Sequence, residues 1–142
     1  MEDRKEAGLK FDLFDVSKII FERGTTAKGY VYEINIENAV KIDPVDLTKF
    51  QVYFYISIGS KEQEKPLSIQ IEAVGHFELL GDLTEDVIDN YRNISAPSIF
   101  YPYIRAFLSN LMLQSGLNPV NLPPINFATN HIIGGSVVET VE

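Results

Sequence analysis

Between Leu9 and Leu80 apolar and polar residues alternate with period two; after Gly81 the apolar residues recur at spacings of three and four. The first rhythm is that of strands with one covered face, the second that of an amphipathic helix. Leu9, Phe11 and Leu13 alternate with Lys10 and Asp12, and the phase then shifts through Phe14 and Val16 before Ile19 and Phe21. This predicts a long first strand with one bulge. Residues 24–29 read as a loop. Tyr30, Tyr32, Ile34 and Ile36 then alternate with Val31, Glu33, Asn35 and Glu37 as a second strand, which Asp43-Pro44-Val45-Asp46 ends. Phe50, Val52, Phe54, Ile56 and Ile58 form a third, with Tyr53 and Tyr55 on its opposite face. After a charged turn over 59–66, Leu67, Ile69 and Ile71 open a fourth that runs to about Leu80. Four consecutive strands without intervening helices predict an antiparallel sheet.

In the second half Asp82 or Thr84 can cap a short helix running to Asp89 or Tyr91, with Glu85 and Asp86 favourably placed in its first turn. Ile99, Phe100, Tyr103, Ile104, Phe107, Leu108, Leu111 and Met112 then predict an amphipathic helix of about 15 residues, ended by Gly116. Pro102 is compatible with it if the helix starts near Ile99. Leu117 to Pro124 carries three prolines and must be extended, and Gly134-Gly135 interrupts any helix begun over 127–133. The expected fold class is therefore α+β, a four-stranded antiparallel sheet followed by a short and a long helix, in a single domain over residues 1–142. With Tyr101 and Leu113 added, the long helix is apolar over more than half its circumference. One face would pack on the sheet and the other needs a second cover, from another copy or a bound partner. The alternative is a well-covered core helix with a few half-exposed tyrosines.

Composition narrows the chemistry. The 142 residues are 45% hydrophobic and 23% charged, enough to bury a core without staples. Cysteine is absent, which excludes disulfides, thiolate nucleophiles and sulfur-based zinc sites. A formal charge of −8 with no basic stripe argues against nucleic acid as a partner. His76 and His131 are the two histidines, and neither stands at a metal-ligand spacing. Asp82, Glu85, Asp86 and Asp89 lack the pattern of a calcium loop, and Gly134-Gly135-Ser136 and Gly59-Ser60 match neither a nucleophile elbow nor a phosphate loop. No enzyme activity, cofactor or metal is expected. The polar start Met1-Glu2-Asp3-Arg4-Lys5-Glu6 and the lack of an apolar run of membrane length predict a cytoplasmic protein without membrane insertion. Asn93-Ile94-Ser95 then matches the glycosylation sequon by chance.

Two motifs carry a family resemblance. Pro97-Ser98-Ile99-Phe100-Tyr101-Pro102-Tyr103-Ile104-Arg105, followed after the helix by Leu122-Pro123-Pro124-Ile125-Asn126-Phe127, resembles the SecB family of export chaperones. Ile19-Ile20-Phe21-Glu22 is similar to the end of that family's first strand. The resemblance implies an ATP-independent holdase, a homotetramer built as a dimer of dimers with the long helices between the sheets. Its partners would be unfolded preproteins, or one dedicated client such as an antitoxin, and SecA. It implies client contact at Ile34, Ile36, Phe127, Ile132 and Ile133, self-association through Phe107, Leu108, Leu111 and Met112, and SecA contact at Glu22. Two other SecA-contact positions carry Lys18 and Gln70 in place of acids, and Gly134-Gly135 cuts short the family's final helix. A small-ligand or protein-interaction module on the same scaffold is the alternative function.

Overall fold

The computed structural model describes residues 6–24, 30–60, 67–129 and 133–141. Strands β1 (Gly8–Glu22), β2 (Tyr30–Ile42), β3 (Lys49–Ser60) and β4 (Ser68–Leu80) form the expected antiparallel sheet. β2, β3 and β4 follow one another as a meander, and β1 adds to its far side against β4. The helical part follows as α1 (Glu85–Asn90) and α2 (Ala96–Gln114). A fifth strand, β5 (Ile133–Val141), pairs antiparallel with β2, so the sheet order is β1-β4-β3-β2-β5.

β1 is more irregular than its sequence predicts, with register shifts between Phe11 and Leu13 and again between Val16 and Lys18. Each inserts one residue and changes the phase of the alternation. The outcome is that Leu9, Phe11, Phe14, Val16, Ile19 and Phe21 stand opposite Leu79, Phe77, Gly75, Ala73, Ile71 and Ile69, all on the covered face. Leu13 pairs with His76 on the other face and is 53% exposed. At the second shift the Ser17 hydroxyl donates to the Glu72 carbonyl, 3.1 Å away.

The core lies between this covered face and α2. Phe50, Val52, Phe54, Ile56 and Ile58 meet Phe100, Tyr101, Ile104, Leu108 and Met112. Leu117, Val120, Leu122 and Phe127, from the extended segment after α2, close the same core. Each such side chain contributes roughly 1.5–3 kcal/mol when fully buried.

The helices depart from expectation in one respect. Thr84 caps α1, its hydroxyl accepting from the Val87 amide. Tyr91–Ser95 then form a π turn that leads into α2 without a break. α2 therefore begins before Ile99, and Pro102 lies inside it and not in its first turn. A proline there deprives the carbonyl four residues back, that of Ser98, of its amide partner. Ser98 and Pro102 are both exposed, so solvent can satisfy that carbonyl.

The far end closes as the sequence predicts. Gly116, at φ 81°, takes the left-handed position, and the Gly116 and Leu117 amides donate to the Leu113 and Met112 carbonyls. The following segment is tied back by the Tyr101 hydroxyl, which donates to the Pro123 carbonyl at 2.6 Å. The tail corrects the sequence reading. Two glycines disfavour a helix, but Val137, Val138, Thr140 and Val141 are β-branched and suit a strand.

Candidate functional site

α2 carries two apolar rows with different fates. Phe100, Ile104, Leu108 and Met112, four apart, face the sheet, and Leu108 and Met112 are 0% exposed within the one chain. The adjoining row of Ile99, Tyr103 and Phe107 leads toward solvent. Ile99 is 41% and Tyr103 50% exposed, and Phe107 and Leu111 are half-buried. α2 runs alongside β1. Near its start the Tyr103 ring stands edge-on to Phe11 at 5.3 Å and tilts over Phe14 at 5.7 Å. At its end Gly116 lies against the Arg23 guanidinium. Ile19 of β1, on this covered side of the sheet, is 45% exposed. β1 pairs with β4 on one edge, and among the described residues no strand pairs with its other edge. The result is an uncovered apolar flank beside an open strand edge.

Of the residues implied in self-association, Phe107 and Leu111 thus lie on this flank, whereas Leu108 and Met112 are already covered by their own sheet. Ile34 and Ile36 lie on the covered face of β2, and Phe127 belongs to the same core from the segment after α2. All three are buried, Phe127 edge-on to Phe54 at 5.9 Å and to Tyr101 at 6.0 Å. Ile132 lies outside the described residues, and Ile133 opens β5 opposite Glu37.

The other face of the sheet is polar with an aromatic strip. Lys18 stands opposite Glu72, Ile20 opposite Gln70 and Glu22 opposite Ser68, so Glu22, Lys18 and Gln70 share one exposed patch at the β1–β4 pair. Tyr53 and Tyr55 stack at 6.3 Å, and the Lys41 ammonium sits 4.8 Å from the Tyr53 ring centre. Asp15 and His76 approach to 3.3 Å on the same face. Sequence reasoning singled out the tyrosines but did not place the β1 edge, which depends on which strand ends the sheet.

Ionisable groups here serve structure. Burial pushes the Tyr101 hydroxyl up to about 12. Hydrogen bonds from the Thr48 hydroxyl and amide hold the Asp46 carboxyl below its ordinary value, and both belong to the β2–β3 turn. Among the described residues no group of three or more His, Asp or Glu side chains is arranged to hold a metal. No helix among them is long and apolar enough to cross a membrane. What the surface offers is apolar area and backbone edge.

A four-strand antiparallel sheet followed by a long helix packed across it defines the SecB-like fold class. The family model described as preprotein translocase subunit SecB matches residues 16–131, and the chain belongs to the SecB family of protein-export chaperones. The chain is 28% identical over 133 residues to the uncharacterized protein MJ0357 of Methanocaldococcus jannaschii, covering 90% of this chain and 85% of that one. It is 27% identical over 120 residues to the protein-export protein SecB of Nitrosospira multiformis, covering 84% and 71%. Among solved structures it is similar to the Mycobacterium tuberculosis Rv1957 SecB-like chaperone, determined in complex with a peptide from the HigA1 antitoxin. The TM-score is 0.63 at 20% identity, over 82% of this chain and 87% of that one.

Proposed function

We propose that this protein is an ATP-independent holdase of the cytoplasm that binds non-native polypeptides through apolar surface and strand edges. The observation that carries this reading is the apolar flank headed by the exposed Ile99 and Tyr103, beside the edge of β1 that no described strand covers. Apolar burial gains roughly 25 cal/mol per Å² and favours chains whose own apolar residues are exposed. Binding the unfolded state and not the native one delays folding by mass action, and no catalytic group is needed.

Phe107 and Leu111 are the contact between copies, and a tetramer of such units gives a long client several weak sites at once. Ile34, Ile36 and Phe127, buried within the chain, back the binding region from inside the core, and Glu22 belongs to the face offered to SecA. Lys18 and Gln70 lower the acidity of that face, which favours a dedicated client over general export. An antitoxin is one such client class, in keeping with the peptide bound to the M. tuberculosis structure.

Light scattering of a refolding protein, with and without this chain and without nucleotide, tests the function. Suppressed aggregation is the expected result, and unchanged aggregation at molar excess overturns it. Pull-downs with SecA and with neighbouring gene products separate export from a dedicated client.

A further inference from the structure

The margin of the sheet opposite β1 carries an occupant from the chain itself. β2 is the element that holds β5; among the described residues no helix or other strand reaches β5 with more than marginal contact. The pairing is interrupted between Ile36 and Glu37, next to Gly134-Gly135. Glycine weakens a strand because it pays the most backbone entropy and packs nothing.

The register is also a poor match. Tyr32, Ile34 and Ile36 of β2 lie on the covered, apolar face, and their partner positions in β5 are Glu139, Val137 and Gly135. One of the three is apolar. An extended segment with apolar residues at all three alternate positions would suit this edge better, while making the same main-chain hydrogen bonds.

We propose that β5 is a displaceable stand-in for a client strand: an extended polypeptide segment, apolar at alternate residues, exchanges with β5 and pairs antiparallel with β2 beside Ile34 and Ile36. This rests on the holdase reading and names the site and the client chemistry for it. The client gains the ladder that β5 gives up, so the exchange costs few net hydrogen bonds. Only the β5-released fraction is competent, and apparent affinity falls by that fraction.

The chain has no cysteine, so Asn35→Cys with Ser136→Cys creates a single possible disulfide between opposed residues of β2 and β5. Opposed residues of an antiparallel pair lie about 4.5–5.5 Å apart between Cα atoms, within the reach of a disulfide. The probe is a short fluorescein-labelled peptide with isoleucine at alternate positions and serine and lysine between them. By anisotropy the oxidised protein should bind it about ten-fold more weakly than the same protein after reduction.

A second variant, Ser136→Pro with Val137→Pro, loosens β5 in the full chain. Successive amides point to opposite edges, so one of the two prolines always removes a ladder donor. It should bind the peptide more tightly than wild type. Equal binding by the oxidised and reduced forms overturns the exchange. If both forms also suppress aggregation alike, the holdase reading stands without it. If wild type neither binds the peptide nor suppresses aggregation, both readings fall.

Discussion

Phe100 of α2 lies over Gly75 of β4 so closely that a Cβ at position 75 would come within 2.8 Å of the ring. The missing side chain is the notch that lets the helix settle on the sheet, and Phe54 meets the same ring edge-on at 5.6 Å. Gly75→Val should therefore force Phe100 or the helix outward at a cost of about 1–3 kcal/mol. Thermal unfolding would show it as a lowered Tm, and an unchanged Tm would mean that the ring has room to turn aside.

The two rows of α2 predict opposite consequences for the same substitution. Leu111→Asp, on the half-buried flank, should shift sedimentation toward smaller species while far-ultraviolet circular dichroism stays native. Leu108→Asp places a charge where exposure is 0%, and should unfold the chain. The milder Leu108→Ala should cost about 2–5 kcal/mol in denaturant unfolding. A wild type that sediments as a monomer at micromolar concentration contradicts the assembly.

Tyr101 predicts a stability loss in strong base. Its folded pKa of about 12 lies above the ordinary tyrosine value of 10.0, so the native state holds this proton more tightly than the unfolded state does. The contribution is intact below the unfolded pKa and declines as pH rises from about 10 to about 12. Tyr101→Phe should lose that part of the alkaline decline. At neutral pH it should still be less stable by about 1 kcal/mol, because the hydroxyl that donates to Pro123 is gone. Urea titrations of both proteins across this range measure the difference.

Apolar burial as the source of client affinity predicts insensitivity to screening. Aggregation suppression should persist at moderate salt and without nucleotide, whereas any SecA contact through Glu22 and its neighbours should weaken as salt rises. A strict requirement for ATP would contradict the holdase reading. Lys18→Glu with Gln70→Glu should strengthen retention of SecA in a pull-down, since both residues lie on the exposed patch with Glu22.

The four main strands and the end of α2 at Gly116 are legible because each rests on local chemistry, alternation and a left-handed glycine; the cap of α1 is narrowed by sequence to Asp82 or Thr84, and the structure selects Thr84. β1 changes phase twice in sequence, after Leu13 and again between Val16 and Ile19, but a single bulge does not account for both; pairing with β4 shows that each change is a separate shift. Pro102 misled for a related reason. Its cost depends on whether the Ser98 carbonyl is wet, which is a property of the packed helix. The split of α2 into covered and uncovered rows likewise needed the sheet in place: Phe107 and Leu108 are neighbours in sequence and equally apolar, yet one is half-buried and the other is not exposed at all. β5 is written in its β-branched residues, but the glycine pair before them marks the end of a helix by local rules and the entry to a strand in the sheet.

The strand order has one further consequence. Its two flanking strands are the first and the last in sequence order: β1 begins at Gly8, and β5 stops at Val141. A substitution in β1 or in β5 would load one border and spare the other. Labels on β1 and on β5 would therefore report separately on the proposed joining of copies and on the proposed pick-up and release of passengers.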